Sequence, residues 1–226
     1  MTPPLRFYFD YISSNAYLAW VELPRLEREY GVAIEPIPTL FAGLLEAHGQ
    51  LGPAEIPAKI AWMWRNNLRK AAILGVPLNP PAYHPFRPLA SLRATATPAA
   101  ASRQSELIGA LFRAVWVDGR HVSELEVVGE IAGEVGLDAA AVVEQAASDE
   151  AKARLRADTS AAIEAGVFGV PTMCVGDELF WGFDDLPYLE RFLAGEDTLD
   201  PEAVPKWEKR PRASSQRRRF RGSESP

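Results

Sequence analysis

A strand, a helix and a second strand at the start of the chain constrain its fold more than any other feature. Apolar and polar residues alternate through residues 5–9, a period of two that is typical of a β-strand. A helix follows, with Ser13 or Ser14 as its N-cap and Gly31 at its end. Residues 32–39 are then predicted to form a second strand. A helical crossover between neighbouring strands makes them parallel, so the chain is predicted to be an α/β protein.

The middle of the chain, from about residue 40 to residue 165, carries helical patterns and no strand-like run. Glycine, proline and capping residues mark where these helices begin and end. The predicted helices cover residues 41–48 and 57–74, resume at Leu89 after a proline-rich loop, and include two later ones opened by a capping box of Ser123 with Glu126 and by Ser148. With 226 residues, 47% of them hydrophobic, the chain can bury a sizeable core.

Strand patterns return near the end of the chain. Residues 171–175 and 178–181 are predicted to form a β-hairpin around a two-residue turn, followed by a helix capped by Asp184 or Asp185. With the first unit, this hairpin and helix complete a thioredoxin-like fold that carries a large all-helical insertion. The predicted organisation is a thioredoxin-like domain of residues 1–39 and 166–195 and a helical insertion domain of residues 40–165.

Charge is divided unevenly along the chain. Residues 206–226 carry eight Lys or Arg against two Glu, which leaves 16 basic and 28 acidic residues in the rest. We expect residues 205–226 to form a disordered basic tail, because this segment is too polar to pack. Its arginine run at 217–219 could touch RNA or an acidic surface, but a solvated tail is the favoured interpretation and nucleic acid is not an expected partner.

Cys174 is the only cysteine of the chain. A lone thiol excludes an intramolecular disulfide and a multi-thiolate metal site, and it is typical of a reducing compartment. No apolar run is long enough to span a membrane, and the start of the chain has no signal-peptide pattern. We therefore expect a soluble, cytoplasmic protein without membrane contact. The three histidines are scattered without metal-ligand spacing, so no metal is expected.

The start of the first predicted helix is the candidate site. In thioredoxin-like proteins the reactive group lies there, where backbone N–H groups and the helix dipole stabilise a thiolate. The sequence at this point is Ser13-Ser14-Asn15-Ala16, so the chain lacks a C-x-x-C pair for disulfide exchange. The Ser13 hydroxyl could instead donate a hydrogen bond to the thiolate of a bound ligand and lower the pKa of that thiol. The alternative is that Ser13 or Ser14 only caps the helix.

Val170 and Pro171 form a second candidate feature at the start of the hairpin, directly after a glycine-containing loop. A cis peptide bond between them would turn the backbone of Val170 toward the first helix, where it could pair with an extended peptide. The alternative is an ordinary proline that begins a strand.

Three segments of the chain resemble one family in the same order. They are FYFDYISSNAYLAW at residues 7–20, GVFGVPTM at residues 166–173 and FWGFDDLPYLERFL at residues 180–193. These segments resemble the 2-hydroxychromene-2-carboxylate isomerases, relatives of the kappa-class glutathione transferases in the DsbA-like thioredoxin superfamily. The resemblance covers roughly residues 5–195. It implies a DsbA-like fold and a glutathione-dependent isomerase of aromatic catabolism, with glutathione as cofactor and a small aromatic-type carboxylate as substrate.

The resemblance also implies roles for individual residues. Ser13 would be the catalytic residue that stabilises the thiolate, and Ser14 stands where the family has proline. The residues expected to bind glutathione are Lys59 through a carboxylate, Val170 and Pro171 along the cysteinyl backbone, Phe183 and Asp184 at the γ-glutamyl end, and Gln50 where the family has asparagine. As alternatives, Lys59 is a solvated helix lysine and Asp184 only the cap of its helix.

The expected substrate residues are Trp62, Tyr83, His84 and Arg87. They offer aromatic walls and a cation for an aromatic carboxylate, although such side chains more often belong to the core or face solvent. Two alternative functions remain open, namely a kappa-class-like glutathione transferase that consumes glutathione and a non-catalytic thioredoxin-fold binding module. The departures at Ser14 and Gln50 keep both alternatives open. The sequence also leaves open whether two copies associate as a homodimer.

Overall fold

The computed structural model describes residues 3–205. The predicted basic tail from residue 206 onward, with its arginine run, lies outside the described residues. The strands are β1 (Leu5–Phe9), β2 (Ile34–Pro38), β3 (Thr172–Val175) and β4 (Glu178–Trp181). The α-helices are α1 (Ser14–Tyr30), α2 (Phe41–His48), α3 (Pro57–Leu74), α4 (Leu89–Thr95), α5 (Gln104–Arg113), α6 (Leu125–Glu134), α7 (Ala139–Ala147), α8 (Asp149–Glu164) and α9 (Leu186–Leu193). Short 3-10 turns lie at Pro53–Glu55, Pro98–Arg103 and Phe183–Asp185, and a π-helical turn lies at Ala114–Asp118.

The four strands form one mixed sheet in the order β2-β1-β3-β4. Strands β1 and β2 pair in parallel, as a helical crossover between them requires, with Phe7 opposite Pro36. Strand β3 runs antiparallel to β1, with Phe7 opposite Met173, and β4 completes the hairpin. This sheet, with α1 and α9 and the helical block between β2 and β3, is the predicted thioredoxin-like fold with its large helical insertion.

The main core lies between the sheet, α1 and the helical block. Phe9 stacks with Phe7 at 5.5 Å between ring centroids, and Tyr11 packs on Phe112 of α5 at 4.8 Å. The buried Trp116 donates a hydrogen bond from Nε1 to the carbonyl oxygen of Tyr11 at 2.9 Å. These contacts anchor the helical block directly against the segment that leads from β1 into α1.

Most predicted helix ends agree with the structure. Ser13 caps α1, Gly31 ends it with a φ of 63°, and Ser148 caps α8. The predicted capping box of Ser123 with Glu126 is wrong, because α6 begins one residue later, with Glu124 as its N-cap. Ser123 lies in a turn before the helix, in which the N–H of Glu124 bonds to the carbonyl of His121 at 3.1 Å.

The predicted domain boundaries fall between β2 and α2 and just after α8. One apolar cluster nevertheless runs from the sheet through α1 into the helical block. The division into a thioredoxin-like domain and an insertion domain stays a prediction. Within residues 3–205, no helix is both long enough and apolar enough to cross a membrane.

Candidate active site

Ser13 lies at the junction between β1 and α1, in the N-cap position of the helix. Its own N–H bonds to the carbonyl of Asp10 at 3.0 Å, which closes the turn after β1. Its Oγ accepts from the N–H of Ala16 at 3.2 Å and donates to the carbonyl oxygen of Val170 at 3.3 Å. The side chain is half-buried. Ser13 therefore caps the helix and also faces the loop before β3, and its role toward a thiolate stays a prediction.

The peptide bond between Val170 and Pro171 is cis, which is one of the two alternatives that the sequence left open. The loop that carries it is held from both sides. The carbonyl of Pro171 accepts from the N–H of Gly182 at 2.8 Å, and Thr172 Oγ1 donates to the carbonyl of Gly169 at 2.8 Å. The structure thus brings Ser13, Val170 and Pro171 together at one end of the sheet.

A buried acidic side chain lies three residues before Ser13, at the end of β1. Asp10 is 1% exposed, and its two oxygens accept from the backbone N–H groups of Ile12 at 3.0 Å and Phe41 at 2.9 Å. Burial raises the pKa of Asp10 to about 7, although both hydrogen bonds oppose this rise by favouring the anion. Asp10 ties the turn before α1 to the start of α2. This role is one that sequence reasoning missed.

Helix α3 contributes two polar residues that sequence reasoning also missed. Asn67 is buried and donates from Nδ2 to Ser14 Oγ at 2.6 Å. Lys70 donates from Nζ to Asn15 Oδ1 at 3.0 Å and to Asp184 Oδ2 at 2.8 Å. The first turn of α1 is therefore fastened to α3 by the two residues that follow Ser13.

Phe183 and Asp184 lie in the 3-10 turn before α9. Asp184 does not cap that helix, because its carboxylate pairs with Lys70 and the N-cap position is Asp185. The Asp185 carboxylate accepts from the N–H of Trp181 instead of capping α9. The ring of Phe183 lies 5.2 Å from the Lys70 ammonium, a cation–π distance. Through Lys70 and Asn15, this turn is connected to the start of α1.

Lys59 and Gln50 are both exposed. Lys59 lies in the first turn of α3, and Gln50 follows the glycine that ends α2. Within residues 3–205, no hydrogen bond or ion pair joins the side chain of either residue to Ser13 or to the loop at Val170. Their expected roles in binding glutathione stay predictions.

Two of the four expected substrate residues are engaged by the protein itself. Tyr83 donates its hydroxyl to the carbonyl of Arg120, and its ring stacks on His121 at 3.8 Å. His84 donates from Nε2 to the carbonyl of Ile12 at 3.2 Å, next to Ser13. Burial lowers the pKa of His84, which favours the neutral ring.

The other two expected substrate residues point into solvent. Trp62 on α3 is 60% exposed, and Arg87 follows the proline-rich loop as an exposed side chain. The structure therefore places His84 at the site, ties Tyr83 to the segment after α5, and leaves the other two on the surface.

The lone cysteine lies away from this arrangement. Cys174 is buried on β3, packed with Tyr8 and Val167 in a separate small cluster, and burial raises the pKa of its thiol. In the described part of the chain, no group of three His, Cys, Asp or Glu residues is placed to hold a metal ion. The polar groups near the start of α1 are the Ser13 hydroxyl, the side chains of Asp10, Asn67 and His84, and the Lys70–Asp184 pair.

The fold and the placement of Ser13 define the class of this protein. A family model described as the DSBA-like thioredoxin domain matches residues 4–194. The sheet order, the cis-proline loop and the helical block fit this class.

Individual relatives narrow the class further. The chain is 37% identical over 199 residues to a 2-hydroxychromene-2-carboxylate isomerase of Sphingobium xenophagum. The aligned region covers 85% of this chain and 99% of that protein. A solved 2-hydroxychromene-2-carboxylate isomerase structure superposes with a TM-score of 0.78 at 30% identity, covering 84% of this chain and 94% of the other. Glutathione S-transferase kappa 2 of Caenorhabditis elegans is 28% identical to this chain, and the match covers 92% of this chain and 97% of that protein. The chain belongs to the 2-hydroxychromene-2-carboxylate isomerase family within the DsbA-like thioredoxin proteins, as its three motifs predicted.

Proposed function

We propose that this protein is a glutathione-dependent isomerase that acts on 2-hydroxychromene-2-carboxylate or a similar aromatic-type carboxylate in aromatic catabolism. The names of its relatives support the reaction, and the kappa-class relative supports glutathione as the thiol. The observation that carries the proposal is the position of Ser13. A half-buried hydroxyl stands at the N-terminus of α1, opposite the cis-proline loop, where a disulfide oxidoreductase would carry its reactive cysteine.

The polar groups around Ser13 fit glutathione by their chemistry. A thiolate needs hydrogen-bond donors, and the first N–H groups of a helix have no intrahelical acceptors. The γ-glutamyl ammonium needs a carboxylate, and Asp184 is 71% exposed with Oδ2 alone engaged by Lys70. A terminal carboxylate needs a cation, and the Lys59 ammonium is exposed at the start of α3.

When bound, glutathione supplies a thiolate nucleophile that adds reversibly to a conjugated double bond, so that the bond can rotate before the thiolate leaves. Ser13 would donate its hydroxyl hydrogen to the sulfur. To do so, the hydroxyl must turn away from the carbonyl of Val170, and the 3.3 Å distance indicates a weak bond that costs little to exchange. A hydrogen bond to the charged sulfur is stronger than one to a carbonyl, so the exchange is favourable.

The surrounding residues would bind and orient the two ligands. Val170 would pair its backbone with the cysteinyl residue, next to Pro171, while Gln50 and Phe183 would border the ends of the tripeptide. Burial lowers the pKa of His84 and so favours its neutral form, and the ring is bonded beside Ser13, where it would offer an uncharged wall for an aromatic ring. Trp62, Tyr83 and Arg87 would extend this wall and supply a cation for the substrate carboxylate. The protein would work in the cytoplasm, as its single cysteine predicts.

The test is an assay that follows 2-hydroxychromene-2-carboxylate and free thiol together. Glutathione is supplied at a small fraction of the substrate concentration, because an isomerase returns the thiol after every turnover. We expect many turnovers per glutathione with no loss of free thiol, and no conversion when glutathione is left out. Loss of thiol with each turnover would identify a kappa-class-like transferase. If the substrate is neither isomerised nor conjugated to glutathione, the result would favour a binding module.

A further inference from the structure

Lys70 is the most enclosed cation near the candidate site. It lies on α3, and its side chain is 9% exposed. Its ammonium bonds to Asn15 Oδ1 at 3.0 Å and to Asp184 Oδ2 at 2.8 Å, and it lies 5.2 Å from the centre of the Phe183 ring. Lys70 therefore contacts the first turn of α1 and the turn before α9 at once.

An ammonium in such a place is costly unless its charge and its donors are satisfied. It carries three N–H donors, and the two contacts to Asn15 and Asp184 account for two of them. Asp184, in contrast, is 71% exposed and uses Oδ2 for this bond. A donor and an acceptor of opposite charge thus lie side by side, with the acceptor open to solvent.

The amino-acid end of a γ-glutamyl group has the complementary arrangement. It carries an ammonium and a carboxylate on one carbon atom, so both charges can be matched by a neighbouring carboxylate and ammonium. A thiol that has only the cysteinyl and glycyl parts lacks this ammonium and this carboxylate.

We propose that Lys70, together with Asp184, recognises the amino-acid end of the γ-glutamyl group and so selects glutathione over shorter thiols. The inference rests on the proposed function, in which Ser13 and Val170 hold the cysteinyl part of the same ligand. Asp184 Oδ1 accepts from the ligand ammonium, and the remaining N–H of Lys70 donates to the ligand carboxylate. Lys70 is then a specificity-determining residue, distinct from Lys59 at the other end of the tripeptide.

The position of Lys70 in α3 explains how it is held for this task. Asn67, Lys70, Ala71 and Leu74 form one stripe of the helix at the spacing i, i+3, i+4 and i+7, which faces the rest of the protein. Asn67 fastens this stripe to Ser14, so Lys70 reaches the start of α1 from a fixed base. A rigid base of this kind lets one ammonium discriminate between ligands.

The experiment compares two thiols on three variants by calorimetric titration of the full chain. The thiols are glutathione and N-acetyl-cysteinylglycine, which keeps the cysteinyl and glycyl parts and lacks the γ-glutamyl amino acid. The variants are Lys70→Met, Lys70→Arg and the control Lys152→Met. Methionine fills the space without leaving a buried charge, and Lys152 is a lysine of α8 paired with Asp149 at 2.9 Å.

We expect Lys70→Met to weaken glutathione binding about tenfold or more and to change the affinity for the shorter thiol less than about twofold. Lys70→Arg keeps the charge and should recover part of the glutathione affinity, while Lys152→Met should leave both affinities unchanged. An equal loss of affinity for the two thiols would mean that Lys70 only stabilises the structure, and it would overturn the inference. No loss for either thiol would also overturn it.

Two further arms keep the outcomes distinct. If the unchanged protein binds neither thiol, the proposed function fails and the inference falls with it. If the protein binds both thiols and Lys70→Met does not discriminate, the proposed function stands and the inference alone fails. Should Lys70→Met fold poorly in a thermal melt, Asp184→Asn supplies the same comparison through the exposed partner, and an equal effect on both thiols would again contradict the inference.

Discussion

The hydroxyl oxygen of Ser13 lies 3.3 Å from the carbonyl oxygen of Val170, 157 residues further along the chain. This contact joins the first helix to the cis-proline loop, and the same oxygen caps the helix by accepting from Ala16. A side chain with both contacts should affect stability through the cap and function through the loop. The two effects can be separated, because the chain contains another serine that caps a helix.

Ser13→Ala should lower the isomerase kcat/KM by roughly 10- to 100-fold, because one hydrogen bond to a charged sulfur is lost. The variant should lose about 1 kcal/mol of unfolding free energy, because the helix cap is lost as well. The measurement is steady-state turnover together with a denaturant titration.

Ser148→Ala is the matched control for that change. Ser148 caps α8 by accepting from the N–H of Ala151 at 3.1 Å, and it takes no part in the candidate site. It should lose a similar free energy of unfolding and keep its turnover. If both variants lost turnover to the same extent, stability alone would explain the effect of Ser13→Ala.

Lys59→Met should weaken glutathione binding and reduce its dependence on salt. The Lys59 ammonium is exposed, so its attraction to a carboxylate is screened by ions. For the unchanged protein, the Kd for glutathione should rise between low salt and roughly 0.5 M KCl. The same titration of the variant should give a shallower line, in which the attraction between the ligand ammonium and the exposed Asp184 remains. A salt response as steep as that of the unchanged protein would show that another cation meets the carboxylate.

The contribution of Asp10 to the stability of the folded protein should fall as the pH rises toward neutrality. Burial raises the pKa of Asp10 to about 7, so the folded state binds a proton that the unfolded state releases at a pH near 4. The contribution of this group is complete below the unfolded pKa and is lost as the pH rises through the folded one.

The measurement for Asp10 is the free energy of unfolding against pH for the unchanged protein and for Asp10→Asn. An amide does not titrate, so the difference between the two curves should shrink from acid to neutral pH. Asp10→Asn should be less stable at low pH as well, because its Nδ2 cannot accept a backbone N–H. Parallel curves would mean that Asp10 keeps an ordinary pKa.

Gly129→Ala should destabilise the helical block by about 1–3 kcal/mol. A Cβ at Gly129 would lie 2.6 Å from Val143 Cγ2 on the facing helix α7. Val143→Ala in the same chain should recover most of the loss. Gly133→Ala in the same helix is the control, since its Cβ would meet Ala139 Cβ at an ordinary 3.8 Å and should be neutral or stabilising. Equal losses at both glycines would show that a strain shared by the two helix positions decides, not the contact with Val143.

The elements with strong local signals were predictable from the sequence. Helices α2 and α3 have their predicted bounds because glycine ends each of them and proline begins α3. The hairpin was also predicted correctly, and the cis bond before Pro171 is one of two alternatives that the sequence left open. The local pattern predicted the wrong start for α6, because a turn rather than a side-chain cap determines the first helical residue.

The polar contacts around Ser13 were not predictable in the same way. Lys70 and Asp184 are 114 residues apart, and Asn67 and Ser14 are 53 residues apart. Such pairs arise only when the helical block packs on α1, so no local pattern specifies the partner. One signal was present, because Asn67 and Lys70 share a helix stripe with Ala71 and Leu74, and a polar residue on an apolar stripe needs a buried partner.

Ionisation of the bound thiol tests the role of Ser13 most directly. The absorbance of the glutathione thiolate is titrated against pH on the unchanged protein, on Ser13→Ala and on Ser148→Ala, each saturated with glutathione. We expect the bound thiol to ionise well below the ~8.5 of a free thiol on the unchanged protein and on Ser148→Ala, and to return toward that value on Ser13→Ala. The same ionisation on all three proteins would contradict the assignment of Ser13 as the group that stabilises the thiolate.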